Sequence, residues 1–264
     1  MAQPNEMRNA HTVPLRDLFQ EKFAQIICYP RLDWEELERR IHEMETLGIK
    51  AVSFVGEKKI GEISVMGKGC VGIVLLAYTE DGKVAIKIRR VDADRRDMRH
   101  EAEMLRIANS VDVGPKLIDF TQNFLLMEFI DGRHLPSWLD DIKGEEDATI
   151  RTRRVLREIL EQCRRLDEIG LDHGELSRAS KHIIIDNHDK PWILDFESAS
   201  TTRRKTNVTS ICQFLFLKGK IADQISDITH YRVGESIIPF LRAYKQDQSE
   251  ENFSKIMKVC RLTD

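Results

Sequence analysis

The stretch Gly67-Lys68-Gly69-Cys70-Val71-Gly72-Ile73-Val74 sets three glycines in the order Gly-x-Gly-x-x-Gly and follows them with a small branched side chain. Glycine has no Cβ, so such a backbone can turn tightly and approach phosphate oxygens closely. The spacing alone is weak evidence, because a similar order opens the helix of dinucleotide folds. Here both flanks are rich in β-formers, which predicts strand, turn and strand. The next strand carries Val84-Ala85-Ile86-Lys87. A lysine there can reach the α- and β-phosphates of a nucleotide when a glutamate from the following helix holds it. Glu101 and Glu103 both lie on that helix. Glu101 is the choice, because it precedes the core-facing Met104 and Leu105 by three and four residues and shares their face. The competing readings are a plain glycine-containing hairpin with an exposed lysine, and a solvated glutamate.

Hydrophobic periodicity shows which elements must position these groups. Residues 1–12 carry no pattern and are expected to be disordered. Leu15, Leu18, Phe19, Phe23, Ile26 and Ile27 predict a helix over 15–27, stopped by Pro30. A second helix is expected over 33–47, with Asp33 as its N-cap and Gly48 just past its end. This pair is either a separate module or an embellishment of the β-rich part after it. From Ala51 the texture changes to strands over 60–66, 71–78 and 83–88. Glu80-Asp81-Gly82 makes a hairpin turn between the last two. A helix over 94–108 and strands over 116–120 and 124–129 come next. Helices then dominate, over 134–142, 148–169, 208–217, 221–229, 236–244 and 251–261, with short strands over 182–185 and 192–194. A β-rich part followed by an α-rich part predicts an α+β fold, with a cleft near residues 129–132.

Composition bounds the rest. A chain of 264 residues fits one large domain or two lobes. With 41% apolar and 32% charged residues it reads as a soluble globular protein with a charged surface. The net charge of −3 gives bulk charge no role in binding nucleic acid or membranes. Cys28, Cys70, Cys163, Cys212 and Cys260 are odd in number and lack the close spacing of zinc or redox motifs, so free thiols in a reducing compartment are expected. The N-terminal residues lack a signal-type apolar core, and the longest apolar runs are too short to cross a bilayer. A cytoplasmic protein with no membrane partner is expected.

Leu125-Leu126-Met127-Glu128-Phe129-Ile130-Asp131-Gly132 is an apolar strand running into a glycine turn. Further on stand His173-Gly174-Glu175-Leu176-Ser177 and Asp195-Phe196-Glu197. Over roughly residues 60–200 this order of motifs resembles the protein-kinase superfamily. Within it, the chain resembles the compact RIO kinases and the kinase of the KEOPS complex. More narrowly, Gly174 to Arg178, Lys181 to Ile184 and Asp195 to Ser200 look like a group of archaeal predicted serine/threonine kinases. The resemblance implies a bilobal protein-kinase-like fold. Residues 1–50 would form an N-terminal helical extension, 51–130 a β-rich N-lobe and 131–264 a reduced α-rich C-lobe. It implies ATP with Mg²⁺, or Mn²⁺ in its place. Gly67, Lys68, Gly69, Gly72, Val74 and Ala85 would surround the nucleotide, and Lys87 held by Glu101 would position its phosphates. Met127 would be the gatekeeper, and the backbone of Glu128 and Ile130 would hold the adenine. Glu175 would orient the attacking hydroxyl and Asp195 would bind the metal.

Three positions depart from the family. Glu175 stands where the compact kinases carry aspartate, on a stem longer by roughly 1.5 Å. A misplacement of about 1 Å can cost on the order of 100-fold. A recessed loop with normal activity, a weak kinase, an ATPase and a pseudokinase all fit, with Asp172 the next candidate base. The family's metal-binding Asn would fall at Ser180 by count, or at His182 by its place before Ile183-Ile184-Ile185. Mg²⁺ favours hard oxygen ligands, so a second metal ligand at His182 is in tension with Mg²⁺. Glu197 replaces a glycine and is either an added metal ligand or solvated.

Protein-directed transfer to Ser/Thr, with autophosphorylation as one outcome, is the expected activity. Its rivals are an ATPase switch in tRNA-modification or ribosome assembly, a pseudokinase scaffold and a small-molecule phosphotransferase. Most basic clusters, such as Arg89-Arg90, Arg95-Arg96 and Arg164-Arg165, read as solvated faces. Arg203-Arg204-Lys205 follows the Asp-Phe-Glu turn and leaves an RNA or ribonucleoprotein partner open.

Overall fold

The computed structural model describes residues 12–263. The expected disorder over 1–12 lies outside these residues, except for Thr12, which opens the first strand. The chain divides into two units. The first runs to Glu103 and includes Lys116–Phe129; the second comprises Met104–Pro115 and everything from Ile130 on.

The first unit holds β1 (Thr12–Pro14), α1 (Glu21–Ile27), α2 (Trp34–Thr46), β2 (Ala51–Ser53), β3 (Lys58–Ile60), β4 (Ile63–Val65), β5 (Gly67–Lys68), β6 (Gly72–Thr79) and β7 (Gly82–Arg89). It continues into the start of α3 (Arg99–Asn109), then β8 (Leu117–Phe120) and β9 (Phe124–Glu128). The main sheet is antiparallel in the order β1-β2-β6-β7-β9-β8, with β5 paired to β6. Thr79 pairs with Gly82, so β6 and β7 join through the anticipated tight hairpin. β3 and β4 form a separate small hairpin, of which only β4 and Ile60 fall in the single strand expected over 60–66.

Two helices differ from their expected bounds. The segment 15–27 is a 3-10 turn over Leu15–Phe19 followed by α1, broken at Gln20, whose backbone is extended. Sheet pairing takes the front of this segment: β1 runs along β2, and the Leu15 N–H donates to Lys50 O at 3.3 Å. α3 begins at Arg99 rather than 94, because the Asp97 carboxylate takes the Arg99 N–H at 3.0 Å.

The N-terminal helices are built into the first unit. α2 buries Leu37, Arg40, Ile41 and Met44, one helical stripe. The three apolar ones join the same core as Ile73, Leu75 and Ile86 of the sheet. Burial of each such side chain contributes about 1.5–3 kcal/mol. Arg40 is fully buried and hydrogen-bonded throughout: to Glu36 at 2.8 Å, to the carbonyls of Ile27 and Arg89 at 2.7 Å each, and to Asn123 Oδ1 at 3.1 Å. A buried guanidinium is tolerable only with such partners. It ties α2 to the last residue of β7.

The second unit takes the end of α3 and adds β10 (Gly132–His134), α4 (Leu135–Ile142), α5 (Ala148–Glu168), β11 (Ile183–Asp186), β12 (Pro191–Ile193), α6 (Asn207–Cys212), α7 (Lys220–Thr229), α8 (Ile238–Gln246) and α9 (Glu250–Val259). The three strands form a small antiparallel sheet in chain order. α5 buries Val155, Leu156, Ile159, Leu160, Cys163 and Leu166 along one side and is the central support. The helix expected over 208–217 is α6 followed by a π-helical turn at Gln213–Leu217. All five cysteines are unpaired thiols. Among the described residues no helix is long and apolar enough to cross a membrane. A β-rich unit and an α-rich unit, with helices preceding the sheet, make this the α+β, bilobal, kinase-like fold that the sequence implied.

Candidate active site

In the first unit the glycine turn is a hairpin tip. Gly67 lies opposite Val74 and Lys68 opposite Ile73, and the Gly69 N–H donates to Gly72 O at 2.8 Å. Arg90, just past β7, fastens it from one side: its N–H donates to Val71 O at 2.8 Å and its guanidinium to Gly69 O at 3.1 Å. Asp92 holds the same guanidinium through bonds of 2.9 and 2.8 Å. Tyr29, between α1 and α2, supports the turn through its ring. Lys68 Nζ lies 4.8 Å and the Arg90 guanidinium 5.0 Å from the ring centroid, both within cation–π range.

Lys87 lies on β7 with Val74 and Leu125 as its strand neighbours. Its Nζ is 2.8 Å from Glu101 Oε1, and both side chains are buried. Glu103 points to solvent. A Cβ on Gly72 would stand 3.0 Å from Lys87 Cγ and 3.1 Å from Cε. The turn's backbone therefore rests on the lysine stem, and any larger residue would have to push that stem aside. Ala85 sits between Leu76 and Met127 in the sheet. The Glu128 N–H already donates to Lys116 O at 2.9 Å, so any contact of Glu128 with a base falls to its carbonyl. Ile130 opens the second unit.

In the second unit the loop before β11 and the turn after β12 are laced together. Asp172 and Ser200 exchange backbone hydrogen bonds of 2.9 Å each. Gly174 has φ +91°, and a Cβ there would stand 2.9 Å from Ser198 O, so this position requires glycine twice over. Glu175 follows. Its Oε1 accepts from Ser198 Oγ at 2.6 Å, and its Oε2 lies 3.0 Å from His182 Nε2. The Ser198 hydroxyl, with help from His182, holds the Glu175 carboxyl below its ordinary range against the opposing effect of burial. The loop's extra length is taken up in a 3-10 turn, Leu176–Lys181, kinked at Arg178.

His182 ends that turn with its ring buried between two carboxylates. Nδ1 lies 3.7 Å from Asp195 Oδ2, too far for a hydrogen bond, and has no hydrogen-bond partner. Nε2 lies 3.0 Å from Glu175 Oε2, although the two are not aligned as a hydrogen bond. Asp195 holds φ +69°, a strained backbone that aspartate tolerates better than most residues. Asp195 and Glu197 each offer a carboxylate oxygen, within 4.8 Å of one another. Hard oxygens of this kind suit Mg²⁺. The donor set thus fits a divalent cation, and Gly72 lying on Lys87 fits a phosphate-bearing ligand.

A second layer holds this loop. The His173 ring packs on buried Phe196 with centroids 5.0 Å apart, and its Nε2–H donates to Leu194 O at 3.0 Å. Burial pushes the His173 pKa down to about 4, so the ring is neutral at pH 7. The His173 N–H donates to Asn207 Oδ1 at 2.8 Å, and Asn207 Nδ2 donates to Asp167 Oδ1 at 2.9 Å and Leu171 O at 2.7 Å. Nothing local in the sequence marks Asn207 or Ser198 for these roles; each acts on a residue more than twenty positions away.

The structure corrects several readings. Asp172 is buried and accepts from Arg203 Nε at 2.6 Å, the Thr206 N–H at 2.8 Å and Thr206 Oγ1 at 3.0 Å, so it braces the loop and is no candidate base. The same bond engages Arg203, and Arg204 donates to Lys245 O. Arg89, Arg90 and Arg164 are not solvated charges: Arg89 is clamped on Asn123 Oδ1 at 2.8 and 3.0 Å, Arg90 on the glycine turn, and Arg164 on the Tyr244 hydroxyl at 3.0 Å.

A β-rich unit with a glycine turn seated on a buried Lys–Glu pair, together with an α-rich unit bearing a carboxylate loop and an Asp-Phe-Glu turn, defines a kinase-like nucleotide-dependent enzyme class. The family model of the RIO domain matches residues 77–211, more than half of the chain, and the chain belongs to that family of atypical kinases and ATPases. An uncharacterized protein of Methanocaldococcus jannaschii is similar to it, 33% identical over 118 residues, a match spanning 45% of this chain and 94% of that protein.

Proposed function

We propose that this chain binds ATP with a divalent cation and transfers the γ-phosphoryl group to a serine or threonine hydroxyl of a protein. The observation that carries the reading is the Glu175 carboxylate, fixed by Ser198 and linked through one buried ring to the carboxylate of Asp195. A loop built only to hold nucleotide has no need of a second, separately braced carboxylate.

In this reading each residue has a role. Lys87, held by Glu101, presents a fixed positive charge to the α- and β-phosphates, and the Gly67–Gly72 turn offers backbone N–H groups. Ala85 and Met127 flank the adenine, with the Glu128 carbonyl and the Ile130 backbone along its edge. Asp195, joined by Glu197, holds the cation, which offsets the charge of the transferred group. Glu175 stays ionised at neutral pH and orients the hydroxyl. Phosphoryl transfer passes through a loose transition state, so a carboxylate of low basicity suffices to position the hydroxyl and take its proton late. Ser198 draws back the longer glutamate side chain, which compensates for its extra methylene.

Incubation with γ-labelled ATP and MgCl₂, followed by mass spectrometry, tests the reading. Label on Ser or Thr of the chain or of an added protein is the expected result. Label released only as inorganic phosphate makes it an ATPase, and neither product makes it a scaffold.

A further inference from the structure

Phosphoryl transfer needs a hydroxyl within hydrogen-bond reach of the carboxylate that takes its proton, a separation of about 2.6–3.2 Å. The chain already supplies one. Ser198 Oγ donates to Glu175 Oε1 at 2.6 Å, the short bond of a hydroxyl to an ionised carboxylate. Ser198 follows the Asp195-Phe196-Glu197 turn directly and is half-buried, and Glu175 is partly open to solvent. The approach is built into the backbone. The Asp172–Ser200 exchange ties the two segments together, and they run so close that a Cβ on Gly174 would lie 2.9 Å from Ser198 O. Neighbouring hydroxyls have other partners: Ser200 Oγ bonds with Thr202 Oγ1 and the Arg203 N–H, and Thr206 Oγ1 donates to buried Asp172. Arg203 stands beside the same serine, with its Nη2 donating to Ser198 O at 2.9 Å, and a cation there favours a phosphorylated product.

We propose that Ser198 is the chain's own phosphoacceptor, phosphorylated within the molecule that carries it before any other hydroxyl reaches Glu175. This rests on the reading of Glu175 as the residue that orients the attacking hydroxyl. Ser198 Oγ bonds to the γ-phosphorus of ATP while the bond from that phosphorus to the β–γ bridging oxygen breaks. The electron pair leaves with ADP, and the hydroxyl proton passes to Glu175 Oε1 and on to solvent. A serine of another protein must first displace Ser198 from that carboxylate, whereas Ser198 is held there already and loses little freedom on reacting. Phosphoserine has no proton left on Oγ, so the bond to Glu175 ends, and its charge of about −1.5 to −2 repels that carboxylate. The modification thus removes the brace on Glu175.

The test incubates the full chain with γ-labelled ATP and MgCl₂ or MnCl₂, first alone and then beside an added protein. Fragmentation of the tryptic peptide from His182 to Arg203 locates the label. One phosphate per chain on Ser198 is expected, at a first-order rate that does not change when the chain is diluted. Label on the chain is expected to be lost in Ser198→Ala and to stay at the same position in Ser198→Thr, which keeps a hydroxyl. Should these variants misfold, the label map and the dilution series on the unaltered chain still decide. Label on other Ser or Thr with Ser198 bare, label on the added protein alone, or a rate that falls on dilution overturns the proposal and leaves the transfer reading in place. No label on either protein overturns both.

Discussion

The Lys87–Glu101 pair and the Glu175–His182–Asp195 group both set charges close together, but one is sealed and the other open. Lys87 and Glu101 are 7% and 5% exposed, whereas Glu175 and Asp195 are 36% and 32% exposed around a histidine at 2%. A sealed pair has its partner before any ligand arrives, so its loss is felt first in stability. Half-open carboxylates remain reachable by substrate and cation, so their loss is felt first in chemistry. The same residue types therefore do different work according to what surrounds them.

Substitutions can break this contrast. Glu175→Gln keeps the shape and loses the charge; turnover is expected to fall by about 10²–10⁴-fold with nucleotide affinity and melting temperature little changed. Steady-state kinetics beside calorimetry checks it, and turnover near the unaltered rate would remove Glu175 from its role. Lys87→Met leaves Glu101 buried without its lysine, so denaturant unfolding should show a loss of about 3–5 kcal/mol. Adding Glu101→Leu should restore most of that stability and none of the nucleotide binding. A double variant as unstable as the single one would mean the pair is not what the stability depends on.

His173 gives the contrast a pH signature. Its folded pKa, about 4, lies below its ordinary 6.5, so the unfolded chain takes up the proton first as pH falls. The contribution is complete above the unfolded value and is lost as pH falls through that window, by about 3 kcal/mol in total. Urea midpoints on either side of the window should separate for the unaltered chain and converge in His173→Gln. The smallest effect is expected at Tyr29. Removing its ring contacts with Lys68 and Arg90 in Tyr29→Ala should loosen the glycine turn by about 0.5–1 kcal/mol, seen as a KM for ATP raised about two- to fivefold at unchanged kcat.

The parts legible in the sequence are those whose partners lie nearby in the chain or along one periodic face. The glycine turn, Lys87 and the strands that carry them follow from spacing and alternation within some twenty residues. Helical period alone separates Glu101, which meets Lys87, from Glu103, which meets water. What stayed hidden depends on residues brought together from far apart. Arg40 reaches Asn123, Ser198 reaches Glu175, and Arg203 reaches Asp172. An arginine followed by another arginine looks solvated until a distant carbonyl or amide is found beside it, as with Arg89. Local capping moved the start of α3 for the same reason in miniature: Asp94 and Asp97 are both good caps by type, and only the fold shows which takes the N–H.

That this chain holds ATP through a divalent cation is tested most directly by isothermal titration of the unaltered chain with a non-hydrolysable ATP analogue, with and without MgCl₂ or MnCl₂. One analogue per chain, bound only when the cation is present and lost in Asp195→Ala, is the predicted result. No binding, or binding indifferent to the cation and to Asp195, would contradict it.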